Sequence, residues 1–217
     1  MSSLDGPRLA PAAGGQATGL VVLVHGYGAD GNDLIDIGRA FAPHLPSVAF
    51  ASPHAPSPCG MSAMGREWFP LTFRDPAEYR RGVQAAGPAL AAFLDAELAR
   101  LGLAGDRLVL VGFSQGTMMA LHAGLRRTVG PAAIVGYSGL LADPEDLSGI
   151  TARPPVTLIH GDRDDVLPIA FMHRAAAALG EAGVPCAFHV CPGVAHGIDQ
   201  RGLALGLSAI RSALSPA

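Results

Sequence analysis

"LVLVGFSQGTMM", residues 108–119, sets one serine between two glycines where an apolar run stops and a helical pattern starts. The run before Ser114 is continuously apolar, as in a strand buried on both faces. The stretch after it, "SQGTMMALHAGL", is made of small and apolar residues at helical spacing. A G-x-S-x-G string alone is weak: with 28 glycines and 12 serines, chance supplies about 0.2 of them in this chain. Its context raises it. A sharp strand-to-helix turn holds such a serine in a strained conformation with its hydroxyl clear of the sheet. Gly112 and Gly116 then stand where a side chain would strike the neighbouring strand or helix, and the positive end of the helix faces the hydroxyl. The plain alternative is a serine that caps a helix in a glycine-rich turn.

The same rhythm extends along the chain. Apolar runs predict strands over 20–25, 48–53, 107–113, 132–138, 156–161 and 186–191, with a short edge strand near 8–11. Helices are predicted over 31–42, 76–101, 115–128, 168–182 and 199–214. In 76–101 the apolar residues Val83, Ala86, Leu90, Phe93, Leu94, Leu98 and Leu101 recur at steps of three and four. Asp75 and Pro76 suit its N-cap and first position, while Pro88 inside it predicts a kink or a break. Pro168 opens the fourth helix and Gly183 closes it. Strand–helix alternation of this kind predicts an α/β fold, a doubly wound, mostly parallel central sheet with helices on both faces. No linker, repeat or change of composition divides the 217 residues, so one domain is expected, with residues 1–19 as a loose lead-in.

Half of the chain is hydrophobic and 15% is charged, which supplies one large core and excludes disorder by composition. The formal charge of -3 and the lack of like-charge blocks argue against a nucleic-acid partner or an anionic membrane surface. No apolar stretch reaches transmembrane length, and the N-terminus lacks the pattern of a secretory signal, so a cytoplasmic setting is expected. Three cysteines (Cys59, Cys186, Cys191) without metal-type spacing read as reduced thiols.

A nucleophilic serine needs a base, and the base an orienting acid; in folds of this class they follow in the order Ser, acid, His on loops after later strands. "VTLIHG" runs into "DRDDVLP", and "CAFHVC" runs into "PGVAHGID". An acid and a histidine therefore each stand at a strand end, in the required order. His122, His173 and His189 fall on helices or mid-strand, and His160 ends a buried strand where a structural hydrogen bond is expected. His196, alone in a glycine-flanked loop, is free to lean over Ser114. Among the acids, Asp162, Asp164 and Asp165 are too close for more than one to be buried against an imidazole. Asp165 could cap the helix opened by Pro168, and Asp162 could tie the turn to backbone amides.

With these loops placed, the sequence resembles the carboxylesterase/phospholipase family of α/β-hydrolases, which includes the acyl-protein thioesterases. The blocks that carry the resemblance are "LVHGYGADGNDL" (23–34), "REWFPL" (66–71), "GFSQGTMMAL" (112–121), "HGDRDDVLP" (160–168) and "GVAHGID" (193–199). It implies an α/β-hydrolase fold with Ser114 as nucleophile, His196 as base and Asp164 as orienter. It also implies an oxyanion hole from the backbone N–H groups of Tyr27 and Gln115, which agrees with "HGYGADG" following the first long strand. Trp68 and Leu71 are expected to line the acyl site. Pro70 stands where family members often have aspartate, which puts the loop's conformation in question. Neither metal nor organic cofactor is implied, and a homodimer is.

The stretch between the strands at 132–138 and 156–161 has room for a short helix at most, so no cap domain is expected, and the loop 54–75 is the expected cover. An uncapped site favours small esters of short to medium acyl chain, hydrolysed through an acyl-enzyme. Thioesters and lysophospholipids use the same machinery. A dienelactone-hydrolase-like enzyme would carry cysteine at 114, and a peptidase on this fold would bring a further domain. A non-catalytic binding module would be expected to lose a member of the triad.

Overall fold

The computed structural model describes residues 4–72, 75 and 77–215. Seven strands form one sheet in the order β1 (Arg8–Leu9), β3 (Val48–Ala51), β2 (Gly19–Val24), β6 (Leu108–Phe113), β7 (Ala133–Tyr137), β8 (Val156–Gly161), β9 (Cys186–Cys191). Only β1 runs antiparallel, against β3; the other neighbours are parallel. A small hairpin, β4 (Ser57–Pro58) with β5 (Arg66–Glu67), lies apart from it.

The apolar runs are continuous because both faces of the sheet are covered. On β2, Leu20, Val22 and Val24 join one core, with side chains from α2 (Ala77–Leu101), α3 (Gln115–Gly124) and α4 (Ala170–Glu181). Val21 and Leu23 point the other way, into a second core with α1 (Gly31–Phe41) and α5 (Gln200–Leu214). Residues 138–155, between β7 and β8, contain no helix or strand, and no cap is inserted there. No helix among the described residues is long and apolar enough to cross a membrane.

Four local expectations are corrected. Of the kink or break expected at Pro88, the break is absent: α2 is one helix from Ala77 to Leu101. Its buried face, with Val83, Ala86, Leu90, Phe93 and Leu94, continues on both sides of the proline, and this packing outweighs one lost hydrogen bond. Pro76, expected at its first position, lies outside the described residues, while Asp75 Oδ1 accepts from the Ala77 amide at 2.9 Å. α3 stops at Gly124 rather than 128, because the Leu125 carbonyl takes the amides of Thr151 and Ala152 instead of continuing the helix. α4 starts at Ala170 with Ile169 as an uncapped N-cap, so Asp165 does not cap it. The lead-in is also tied down: Arg8 Nε donates at 2.9 Å to Glu97, a carboxylate buried on α2 that also holds Arg100.

Candidate active site

Ser114 stands between β6 and α3 with φ 54°, ψ −116°, a region that non-glycine residues occupy only under constraint. The constraint is visible on both sides. Its N–H donates to the Tyr137 carbonyl at 2.9 Å, extending the β6–β7 ladder by one residue. A Cβ on Gly116 would lie 1.8 Å from the Val24 carbonyl oxygen, and one on Gly112 would lie 2.4 Å from the Gly116 carbonyl oxygen. Only glycine lets the helix start this close to two strands.

Asp164 lies in the turn after β8 and His196 in the turn after β9. Ser114 Oγ lies 3.0 Å from His196 Nε2, and His196 Nδ1 lies 2.8 Å from Asp164 Oδ2. The imidazole rests on Phe113, with ring centroids 5.1 Å apart. Asp164 is buried, and its Oδ1 accepts the amides of Val166 (3.0 Å) and Leu167 (2.8 Å). Those two donors occupy Oδ1 and leave Oδ2 to the imidazole. Asp162 instead reaches across to the Gly193 amide at 2.6 Å, and Asp165 is exposed, so of the three clustered acids only Asp164 meets the imidazole. This succession can move a proton from Ser114 Oγ to Nε2 while the carboxylate steadies the resulting imidazolium.

The loop after β2 lies against the serine, since β2 and β6 are neighbours with Val24 opposite Gly112. A Cβ on Gly26 would come within 3.3 Å of the Ser114 Cβ. Tyr27 follows it, and Gln115 is the first residue of α3, so its N–H has no acceptor one helical turn earlier. The loop is braced by the β4–β5 hairpin: the Gly28 amide donates to the Arg66 carbonyl at 2.9 Å, and the Arg66 amide to the Ala29 carbonyl at 2.8 Å. Burial, with hydrogen bonds to Cys59 and Glu67, pushes the Tyr27 phenol above its ordinary range.

Trp68 does not present a wall to a ligand. It is 2% exposed, and its indole N–H donates to the His25 carbonyl at 3.0 Å, which makes it a strut under the loop carrying Tyr27. Leu71 is likewise in the core, at 9% exposure. The Gln115 side chain clasps the same segment: its Oε1 accepts the Trp68 amide at 3.0 Å and its Nε2 donates to the Phe69 carbonyl at 2.8 Å. Pro70, the departure from the family pattern, is exposed beside this clasp. At the same C-terminal edge of the sheet, a cavity of about 430 Å³ opens between Leu140 and Leu141 after β7, Phe171 on α4 and Tyr79 on α2.

Among the described residues, His196 is the histidine at hydrogen-bond distance from Ser114 Oγ. His160 makes the expected structural bond, from Nε2 to the Leu167 carbonyl at 2.7 Å, and the same nitrogen lies 3.1 Å from Asp164 Oδ2. His25 accepts the Ala55 amide on Nε2 at 3.0 Å. Burial pushes His25 and His122 down to about 4. A folded value below the unfolded one, about 6.5, means that the unfolded chain binds protons the folded chain refuses. The stability they contribute is complete above about pH 6.5 and is lost as the pH falls toward 4. His122 packs on Gly87 of α2. His122→Gln should therefore lose less thermal midpoint than the parent between pH 7 and pH 5; equal losses would contradict this assignment.

Three contacts escaped the sequence reading: the Gln115 side-chain clasp, the approach of His160 to Asp164, and a bond from Ser138 Oγ to the Gly197 carbonyl at 3.1 Å. Only His160, beside the acids in H-G-D-x-D, carried a local signal.

The profile of a family described as phospholipase/carboxylesterase matches residues 11–212. Esterase YpfH of Escherichia coli is 29% identical over 88% of this chain and 82% of its own length. Acyl-protein thioesterase 1 of Schizosaccharomyces pombe is 30% identical over 75% of each. The crystal structure of esterase PE8 superposes with a TM-score of 0.94, at 42% identity, over 97% of this chain and 99% of that one.

Proposed function

Since the chain belongs to the phospholipase/carboxylesterase family of α/β-hydrolases, serine hydrolases that act on ester bonds, we propose that it is a carboxylesterase built as a single domain, cleaving esters of short to medium acyl chain through Ser114, His196 and Asp164. The observation that carries this reading is the unbroken hydrogen-bond succession from Ser114 Oγ through His196 to the buried Asp164.

Ser114 Oγ attacks the ester carbonyl as His196 Nε2 takes its proton, forming the Oγ–C bond. The oxyanion is held by the Tyr27 and Gln115 amides, aided by the N-terminal end of α3. On collapse the bond to the alkoxy oxygen breaks, and that oxygen leaves with the proton from His196. Water, deprotonated by the same imidazole, then releases the acid and restores Ser114. Trp68 and the Gln115 side chain keep the amide-bearing loop in place. The substrate is a small ester; neither nucleic acid nor a membrane surface is part of the reading.

The chain-length preference rests on the missing cap: residues 138–155, between β7 and β8, add no helix or strand over the site. A panel of p-nitrophenyl esters from acetate to palmitate should give its highest kcat/KM among the short and medium chains. A maximum at palmitate would overturn the preference. The S. pombe relative favours a second reading as a thioesterase, and a matched thioester hydrolysed with higher kcat/KM than the ester would establish it.

A further inference from the structure

Two non-glycine residues among those described have positive φ: Ser114, at 54°, and Ser138, at 44°. The first is accounted for by the sharp turn between β6 and α3. The second has no part in the proposed reaction, yet such a conformation is strained for a residue with a side chain and persists only where its surroundings hold it.

Ser138 is the first residue past β7 and is fully buried. Its N–H still donates to the Ile159 carbonyl of β8 at 2.9 Å, so the ladder is complete up to the point where the chain turns. Its hydroxyl donates to the Gly197 carbonyl at 3.1 Å, one residue beyond His196 and 59 residues away in sequence. The residue before it, Tyr137, receives the Ser114 amide on its carbonyl at 2.9 Å. The same carbonyl lies 2.9 Å from the Thr117 hydroxyl. Tyr137 also donates through its phenol to the Gly202 carbonyl on α5, the helix that follows the histidine loop, at 3.2 Å. The end of β7 thus holds the serine turn by one residue and the loop and helix around His196 by two side chains.

Resting on the triad reading above, we propose that Ser138 is a positioning residue for ester hydrolysis: its hydroxyl, carried into place by the left-handed backbone, fixes the His196 loop at hydrogen-bond distance from Ser114. It touches neither the substrate nor the reacting atoms. Its contribution passes through the Gly197 peptide to the imidazole.

The test compares Ser138→Ala with Ser138→Gly in the full chain. Both remove the hydroxyl, but glycine also relieves the φ of 44° and so protects the fold. With p-nitrophenyl butyrate, both variants should lose roughly 10- to 100-fold in kcat with KM within about twofold of the parent, as expected for a misplaced base rather than a weakened binding site. Labelling of Ser114 by a fluorophosphonate should slow in parallel, and the thermal midpoint of Ser138→Gly should not fall below that of Ser138→Ala. Parent-like kcat in either variant overturns the proposal. So does a loss that returns to parent level on cooling well below the midpoint, which would make the contact one of stability alone. Failure of the parent to label at Ser114 would instead sink the triad reading.

Discussion

Ser114→Ala should lose roughly a millionfold in kcat while remaining folded. The loss converts to about 8 kcal/mol of transition-state stabilisation at 25 °C. The size follows from the role proposed for the hydroxyl: it forms the acyl-enzyme, and His196 and Asp164 act through it, being joined to it by the 3.0 Å and 2.8 Å contacts. Alanine removes one oxygen from a partly exposed turn whose backbone is held by the Tyr137 carbonyl and by close packing at Gly112 and Gly116. The φ of 54° is as strained for alanine as for serine, so the turn between β6 and α3 keeps its shape. Residual hydrolysis above the uncatalysed rate should come from the oxyanion amides acting on water. Steady-state kinetics on a short p-nitrophenyl ester, alongside circular dichroism, measures this. A variant within a hundredfold of the parent would mean that another group attacks.

Asp164→Asn should cost about 10⁴-fold in kcat with the fold intact. The buried carboxylate accepts two backbone amides on Oδ1, so an asparagine there must turn its carbonyl oxygen toward Val166 and Leu167. Its NH₂ group then faces His196 Nδ1, where the carboxylate oxygen stood at 2.8 Å. A donor at that place forces the imidazole to carry its proton on Nε2, which can no longer accept from Ser114 Oγ. The same NH₂ meets the Nε2 nitrogen of His160, 3.1 Å from that oxygen, donor against donor. The flipped amide escapes both conflicts only by pointing its NH₂ at two backbone N–H groups. Activity within tenfold of the parent would show that Asp162 or Asp165 can stand in, contrary to the geometry.

Much of this was legible in the chain because the signals were short-range. β6, Ser114 and α3 are contiguous, and a continuously apolar strand is the direct consequence of a sheet covered on both faces. The order of serine, acid and histidine at strand ends could be read in the same way. Which of Asp162, Asp164 and Asp165 meets the imidazole could not be read from spacing, since the choice is made by two amides in the turn that follows and by burial. The family resemblance supplied it. Trp68 looked like a ligand wall because a lone tryptophan near a site is large and apolar; its indole N–H, satisfied by the His25 carbonyl, makes it a strut. The Gln115 clasp spans 46 and 47 residues and the Ser138 bond 59, so neither leaves a mark on its neighbours in sequence. Pro88 and the end of α3 were decided by tertiary contacts that override local preference.

Mapping the covalent adduct tests the whole account most directly. The protein is treated with a fluorophosphonate, digested, and the modified residue located by mass spectrometry. A single adduct on Ser114, absent from Ser114→Ala and formed far more slowly in Asp164→Asn, is the result expected. An adduct on another residue, or undiminished ester hydrolysis by protein fully modified at Ser114, would contradict it.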